Sequence, residues 1–217
     1  MSNERSLDEI KRFLSKARKI DMTESHPYLV RKKVKPTSTM FVTDCDSVKD
    51  CFHWCLPLKD PLLAIPFGSQ GHIQTWQFID ASGEKRFLAG AKVKGACWCS
   101  GSLPKTSSER FVLAIGEVVA TVLSVVQNYK GDAVGVVAGS CGNLLPVATT
   151  MRERFPKAVI VVLGDVGNGA EDAIKAARTI GASVRFPLFT AEDKRVFQSA
   201  NGGKTPTDWN DFYQLHY

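Results

Sequence analysis

The sequence has no long hydrophobic run and no leader pattern at its start. None of its apolar stretches approaches the ~20 residues that a membrane-spanning helix needs, and Met1 to Arg5 are mostly polar or charged. A cleavable leader would instead show a basic start followed by an apolar segment. We therefore expect a cytoplasmic protein that has no membrane partner. Its six cysteines are expected to be mostly reduced thiols.

A zinc-binding pattern is also missing. Cys51, His53 and Cys55 follow Cys45, but they form no Cys-x-x-Cys pair, and no second ligand pair follows at the spacing of a zinc finger. The alternation of side chains along a strand would place the three later residues on one face equally well. Zinc is therefore not expected as a cofactor.

A complete phosphate-binding loop is absent as well. The segment 202–205, Gly-Gly-Lys-Thr, matches the end of that motif, but Gln198 stands where the motif has its first glycine. Pro206 follows at the point where a helix should begin. The sequence thus predicts no nucleoside triphosphatase motor of this type.

Basic residues outnumber acidic ones by 28 to 22, which gives a formal net charge of +6. This excess is compatible with nucleic-acid binding, although many basic proteins bind none. The cations of the N-terminal part are the candidates for phosphate contacts, and an ordinary solvated surface is the alternative. The candidate nucleic-acid-binding residues are Lys11, Arg12, Lys16, Arg31, Lys32, Lys33, Lys85 and Arg86.

The first part of the chain predicts two helices and then an irregular stretch. Apolar residues at helical spacing predict a helix over residues 7–20. Pro27 disfavours a helical conformation at His26, and Tyr28 and Leu29 are expected to anchor a short helix against the core. Residues 37–60 are predicted to be irregular and polar.

A small antiparallel meander is predicted over residues 62–90, because three alternating or apolar runs are separated by two glycine-containing turns. The aromatic residues of these strands, Trp76, Phe78 and Phe87, are expected in the core rather than as platforms for stacked bases. Residues 101–108 are polar and rich in small residues, which is typical of a linker.

The remaining chain alternates short apolar runs with helical patterns. Apolar runs at 111–116, 133–138, 157–164 and 183–187 predict strands, and the stretches between the first three and after 169 predict helices. Continuous apolar strands indicate a parallel sheet covered on both faces, which defines an α/β fold. Ligands bind beyond the carboxyl ends of such strands. Glu117 and Asp165 end two of these runs, so they can share one site.

These segments resemble a known family. The motifs Ile-Gly-Glu117-Val-Val-Ala-Thr, Ala-Gly-Ser-Cys-Gly-Asn143, Val-Leu-Gly-Asp165-Val-Gly and Asp208-Trp-Asn-Asp211 are similar, in this order, to the Toprim domain of phage- and plasmid-type DNA primases. The resemblance extends upstream and covers most of residues 20 to 212. It implies a Toprim-like, Rossmann-like parallel sheet with flanking helices in residues 109–217. An N-terminal helix and a small β-rich subdomain would precede it in residues 1–108.

The resemblance also implies a chemistry. Glu117 and Asp165 would be catalytic, and Glu117, Asp165, Asp208 and Asp211 would hold Mg²⁺ or Mn²⁺ during nucleotidyl transfer. A turn and a helix cap are the structural alternative for Asp208 and Asp211. The expected partners are DNA, in single-stranded form, and a separate helicase or replication protein of a phage or mobile element. The expected location is then a bacterial or infected-cell cytoplasm.

The sequence departs from the family pattern at two positions. Val118 stands where the family has glycine, and it can crowd the backbone beside Glu117. Gly167 stands where the family has a second aspartate, which Glu171 or Asp172 could replace. Three functions stay open: an active or impaired primase, a degenerate Toprim module that binds DNA or a replication partner, and a Toprim nuclease.

Overall fold

The computed structural model describes residues 7–55, 57–69, 71–105 and 110–217. These residues form two compact units, of which the first ends at Gly101 and the second begins at Ser102. The boundary that the sequence predicts, between residues 108 and 109, lies outside the described residues and stays a prediction. No helix in the described ranges combines the length and the hydropathy needed to cross a membrane.

The first unit contains a five-stranded antiparallel sheet with strand order β1-β2-β3-β4-β5. Its elements are α1 (Leu7–Lys16), β1 (Arg18–Lys19), α2 (Pro27–Arg31), β2 (Phe41–Thr43), α3 (Cys45–Phe52), β3 (Leu62–Ser69), β4 (His72–Ile79), β5 (Lys85–Phe87) and β6 (Trp98–Cys99). The predicted meander over 62–90 is confirmed as β3, β4 and β5. The short helix after His26 is also confirmed, with Tyr28 and Leu29 buried.

The predictions for residues 7–20 and 37–60 are wrong. The helix predicted over 7–20 ends at Lys16, because Arg18 and Lys19 pair with Val42 and Phe41 of β2 and so continue the sheet. The stretch 37–60 is not irregular, since it contains β2 and α3.

Helix α3 starts at a side-chain cap, where the Ser47 amide donates a 2.6 Å hydrogen bond to Asp44 Oδ1. Such a cap satisfies one of the amides that a helix start leaves without a partner. Helix α3 contains Cys51 and ends in the C-cap residue His53. The strand alternation considered for Cys51, His53 and Cys55 is therefore wrong as well.

An aromatic cluster forms the core of the first unit. The ring of Phe13 on α1 packs against Trp76 and Phe52, with centroid distances of 4.7 and 5.1 Å. Trp76 and Phe78 are 1% and 0% exposed, which confirms their placement in the core. Phe87 is half-buried. These rings are therefore structural, and Trp76 and Phe78 have no surface on which a base could stack.

The second unit is an α/β layer structure. Its four strands follow the order β10-β9-β7-β8, and all neighbouring pairs are parallel. The elements are β7 (Val112–Gly116), α4 (Val119–Asn128), β8 (Ala133–Val137), a 3-10 helix (Cys141–Asn143), α5 (Leu144–Arg154), β9 (Val159–Leu163), α6 (Ala170–Thr179), β10 (Ser183–Arg185), α7 (Ala191–Ala200) and α8 (Trp209–His216). The predicted parallel sheet with flanking helices is confirmed.

Helices α7 and α8 are additions to the predicted elements. Each begins at a reciprocal cap, formed by Thr190 with Asp193 and by Asp208 with Asp211. Helix α8 packs on α4, where Asn210 Nδ2 donates a 2.9 Å hydrogen bond to Ser124 Oγ. This buried polar contact fixes α8 along the side of the sheet that α4 covers.

Candidate active site

The two predicted acids meet in one cleft at the carboxyl edge of the parallel sheet. Glu117 follows β7 directly and Asp165 follows β9 after Gly164, and these two strands are hydrogen-bonded neighbours. Both acids are half-buried. The cleft is lined by Glu117, Leu144, Leu163, Gly164, Asp165, Asn168, Gly169 and Ala173. The sheet topology therefore brings two carboxylates that lie far apart in the sequence into one cleft, which apolar side chains also line.

Backbone contacts fix the position of Glu117. The Gly139 amide, in the loop after β8, donates a 2.9 Å hydrogen bond to the Glu117 carbonyl oxygen. Gly139 has a φ of +82°, a conformation that glycine adopts readily and that other residues avoid. The loop is held in turn by buried Asn143, whose Nδ2 donates to the Ala138 carbonyl at 2.7 Å. The loop after β8 therefore lies beside Glu117 and holds its backbone in place.

Cys141 and Asp172 lie next to Glu117 at this loop. No role was predicted for Cys141 from the sequence. Burial raises the pKa of the Cys141 thiol, and the nearby Glu117 carboxylate and a hydrogen bond to Asp172 add to this effect. A Cβ at Gly169 would lie 3.1 Å from Cys141 Cβ and 3.8 Å from Glu117 Oε2. Asp172 is half-buried and Glu171 is exposed, so Asp172 is the α6 acid that lies near the cleft. The run Gly-Ser-Cys-Gly-Asn directly follows a predicted strand, and this pattern was the one that could have indicated a role for Cys141.

The loop that follows Asp165 has a backbone that disfavours a second acid. Gly167 has a φ of +99°, and no atom lies within 4 Å of a Cβ built there. The position thus has room for a side chain but not the backbone conformation that one prefers. By contrast, Val118 has an ordinary extended φ of −114°, so it places no backbone strain next to Glu117.

Asp208 and Asp211 are engaged in capping α8. The Asp211 amide donates to Asp208 Oδ1 at 2.8 Å, and the Thr207 amide donates to Asp211 Oδ2 at 2.9 Å. A backbone hydrogen bond of 2.8 Å from Val166 to the Thr207 carbonyl brings the start of α8 to the loop after Asp165. The caps predicted as the structural alternative are therefore present. A metal contact by either residue stays a prediction.

The cleft offers few ligands for a metal ion. Among the described residues, no three His, Cys, Asp or Glu side chains are grouped so that they could hold a metal ion. Mg²⁺ usually keeps several waters and is bound through one or two carboxylates together with substrate phosphates. Two acids in one cleft fit that type of binding. They do not fit a cage in which the protein supplies every ligand.

Several of the predicted nucleic-acid-binding cations are engaged within the first unit. Lys16 forms a 2.9 Å salt bridge with Asp50, and Arg86 pairs with Glu84 at 3.4 Å. Arg31 donates to the Ala81 carbonyl oxygen and lies 5.9 Å from the Tyr28 ring centre. Lys11, Arg12 and Lys33 are exposed, whereas Lys32 and Lys85 are half-buried. The predicted set is thus spread over α1, the end of α2 and β5 rather than gathered in one row.

Comparison with known proteins finds similarity both in sequence and in fold. No family model matches the chain. A protein described as DNA primase TraC from Escherichia coli is 29% identical over 180 residues, which cover 78% of this chain and 16% of that protein. A second protein of the same name and organism is 32% identical over 136 residues, which cover 57% of this chain and 9% of that protein. The chain therefore matches less than a fifth of the length of these curated relatives.

Among solved structures, the primase fragment of the bacteriophage T7 primase-helicase protein is similar in fold. The match covers 92% of this chain and 79% of that fragment, with a TM-score of 0.54 and 13% sequence identity. At this identity the similarity concerns the fold alone. The chain is thus similar in sequence to a segment of DNA primase TraC and in fold to a phage primase fragment.

Proposed function

We propose that this chain is a primase-type Toprim module that acts on DNA during replication of a phage or mobile element. The observation that carries the proposal is the shared cleft of Glu117 and Asp165 at the ends of two adjacent parallel strands. Similarity to DNA primase TraC and the fold shared with the T7 primase fragment support it. The working place of such a module is the cytoplasm of a bacterium or an infected cell.

In this proposal Glu117 and Asp165 have different roles in nucleotidyl transfer. Asp165 and Glu117 would hold Mg²⁺ or Mn²⁺, and the bound ion would screen the triphosphate and polarise the attacking oxygen. The 3′-oxygen of one nucleotide attacks the α-phosphorus of the next, and pyrophosphate leaves. Glu117 accepts the proton of the attacking hydroxyl group, as expected for a carboxylate held within reach of the reacting atoms. Leu144, Leu163 and Ala173 supply the apolar part of the cleft lining.

The proposed partners follow from the same function. Single-stranded DNA is the template, and a separate helicase or replication protein supplies duplex opening. The N-terminal cations proposed to contact DNA are those predicted from the sequence. Asp208 and Asp211 are proposed to act next to the metal by holding the start of α8 against the loop of Asp165.

A second candidate function is a module that binds DNA or a replication partner without catalysis. The positive φ of Gly167 favours it, because that backbone leaves the Asp165 motif with one acid and disfavours the addition of another. A site with fewer carboxylates binds a divalent cation more weakly. Cation affinity therefore separates the two candidates better than DNA binding does.

The first experiment titrates Mn²⁺ into the unmodified chain and into Glu117→Gln and Asp165→Asn. These substitutions keep the shape of each side chain and remove its charge, so we expect at least a tenfold loss of Mn²⁺ affinity in each. Glu171→Gln is the matched control, since Glu171 is an exposed acid on α6, the helix that follows the Asp165 loop. The control should bind Mn²⁺ as the unmodified chain does.

The second readout is primer synthesis on a single-stranded template, with strand cleavage followed in the same reaction. Synthesis that disappears in Asp165→Asn supports the primase, and cleavage that disappears instead assigns the acids to a nuclease. Mn²⁺ binding without primer synthesis or strand cleavage supports a module that binds DNA or a replication partner without catalysis. Synthesis that persists in Asp165→Asn would place the chemistry elsewhere in the chain and contradict the proposal.

A further inference from the structure

An acid-free basic segment runs from β5 through β6 and just past the end of the first unit. Between residues 85 and 105 the sequence contains no aspartate or glutamate, and its five cations are Lys85, Arg86, Lys92, Lys94 and Lys105. The positive charge of the whole chain is also uneven. Sixteen of the 28 basic and eleven of the 22 acidic residues precede Ser102, so the first unit carries a formal charge of +5 and the second of +1.

The part of this segment that stands out is the loop 89–97, which we name the lysine loop. Exposure alternates along it: Lys92 and Lys94 are exposed, whereas Ala91, Val93 and Gly95 are half-buried. The Ala96 amide donates a 2.9 Å hydrogen bond to the Val93 carbonyl, and Gly95 has a φ of +77°, so Lys94 lies in a turn. Lys92 precedes this turn, and both ammonium groups therefore extend from one short, exposed stretch.

Both ends of the lysine loop are anchored in the first unit. Before it, buried Leu88 donates through its amide to the Trp76 carbonyl at 2.9 Å. After it, Cys97 and Gly68 exchange two backbone hydrogen bonds of 2.9 Å, and Ala96 is fully buried. Fixed ends reduce the conformational entropy that the loop would lose when it binds a ligand.

The lysines of this loop differ from the predicted cations in their contacts. Lys16, Arg31 and Arg86 each have an intramolecular partner. Within the described parts of the chain, neither Lys92 nor Lys94 forms a salt bridge. A cation with no acidic partner retains its full charge for an external anion, and no acid in the segment repels such an anion.

We infer that the lysine loop binds the phosphate backbone of single-stranded DNA, through Lys92 and Lys94 acting together. This inference rests on the proposed function, because it names the residues that hold the template. The two ammonium groups contact neighbouring phosphates, and the contacts are electrostatic and independent of base sequence. The predicted cations with intramolecular partners contribute less, since a phosphate would have to displace those partners.

The test measures binding of a fluorescein-labelled oligothymidylate to the full chain at salt concentrations from ~50 to ~200 mM. For single strands the slope of log affinity against log salt changes by about 0.7 for each phosphate contact, so Lys92→Ala with Lys94→Ala should reduce the slope by about 1.4. The affinity at ~50 mM salt should fall on the order of tenfold. Lys92→Arg with Lys94→Arg keeps the charges and should restore binding.

The matched control removes two exposed cations from the second unit, Lys194→Ala with Lys204→Ala. An equal loss in this control would assign the effect to net charge and overturn the inference. So would an unchanged slope in the lysine-loop variant, or a loss seen only in Lys11→Ala with Arg12→Ala. Absence of DNA binding by the unmodified chain would also overturn it. The proposed function is judged separately, by Mn²⁺ titration of the unmodified chain and Asp165→Asn.

Discussion

At the scale of single residues, His26 couples the stability of the first unit to pH. Its Nδ1 accepts a 3.2 Å hydrogen bond from the Tyr28 amide, and its Nε2 donates to the Pro61 carbonyl at 3.0 Å. The first contact requires the neutral ring, since a protonated Nδ1 cannot accept, whereas Nε2 donates in either protonation state. Burial lowers the pKa of His26 below its usual value, and the bond to Pro61 offsets only part of that effect.

The sign of the pH effect follows from this lowered pKa. The unfolded chain takes up a proton on His26 near pH 6.5, whereas the folded chain takes it up at lower pH. The stabilisation is therefore complete above about pH 6.5 and is lost as the pH falls towards the folded pKa. We expect the free energy of unfolding, measured in urea, to decrease over this interval.

The variant His26→Asn distinguishes the contribution of His26 to the pH dependence of stability from that of other titrating groups. Asparagine retains an acceptor for the cap of α2 but does not titrate, so the decrease below pH 6.5 should be smaller in this variant. At neutral pH the variant should be less stable by about 1 kcal/mol, because the bond to Pro61 is lost. His72→Asn, at an exposed position, is the control and should keep the pH dependence of the unmodified chain. An unaltered decrease in His26→Asn would show that another group causes it.

At the scale of elements, the cap of α8 can be separated from a metal contact at the same residue. Asp208→Ala removes the acceptor of the Asp211 amide and should lower the free energy of unfolding by about 1 kcal/mol. Asp208→Ser supplies a hydroxyl acceptor without charge and should recover most of that loss. Urea denaturation of the three proteins measures both effects.

Mn²⁺ titration of the same variants assigns the second role. If Asp208 serves only as a cap, Asp208→Ser binds Mn²⁺ as the unmodified chain does. If its carboxylate touches the ion, both variants lose affinity to a similar degree, although their stabilities differ. Equal stability of Asp208→Ala and the unmodified chain would contradict the capping role that the hydrogen bonds indicate.

At the scale of the whole molecule, the second unit was more predictable than the first. Its strands are short continuous apolar runs, and burial on both faces leaves that pattern in the sequence. In the first unit, β1 and β2 are only two and three residues long, and Arg18 and Lys19 are exposed in β1. Such a short strand forms because it pairs with a neighbouring strand, and two or three residues leave no sequence pattern from which it could be predicted.

The candidate site was predictable to the extent that it depends on strand ends. Glu117 and Asp165 each follow an apolar run, and parallel topology then places them at one edge. The positions of Cys141 and Asp172 depend on how the loop after β8 meets the start of α6, which no local pattern specifies. The backbone of Gly167 was not predictable either, because glycine is compatible with both signs of φ.

The hydrogen bond from Val166 to Thr207 makes the order of synthesis matter. Both acids of the cleft are already joined to the chain when the residues of α8 have yet to be added. Until Thr207 is in place, the segment after Asp165 lacks its backbone partner, and the cleft lacks the neighbouring helix start. Domains fold as units during synthesis once their residues are available. A ribosome-bound chain that ends before α8 therefore carries both carboxylates without the neighbouring helix start, and we expect it to bind Mn²⁺ more weakly than the chain that includes α8.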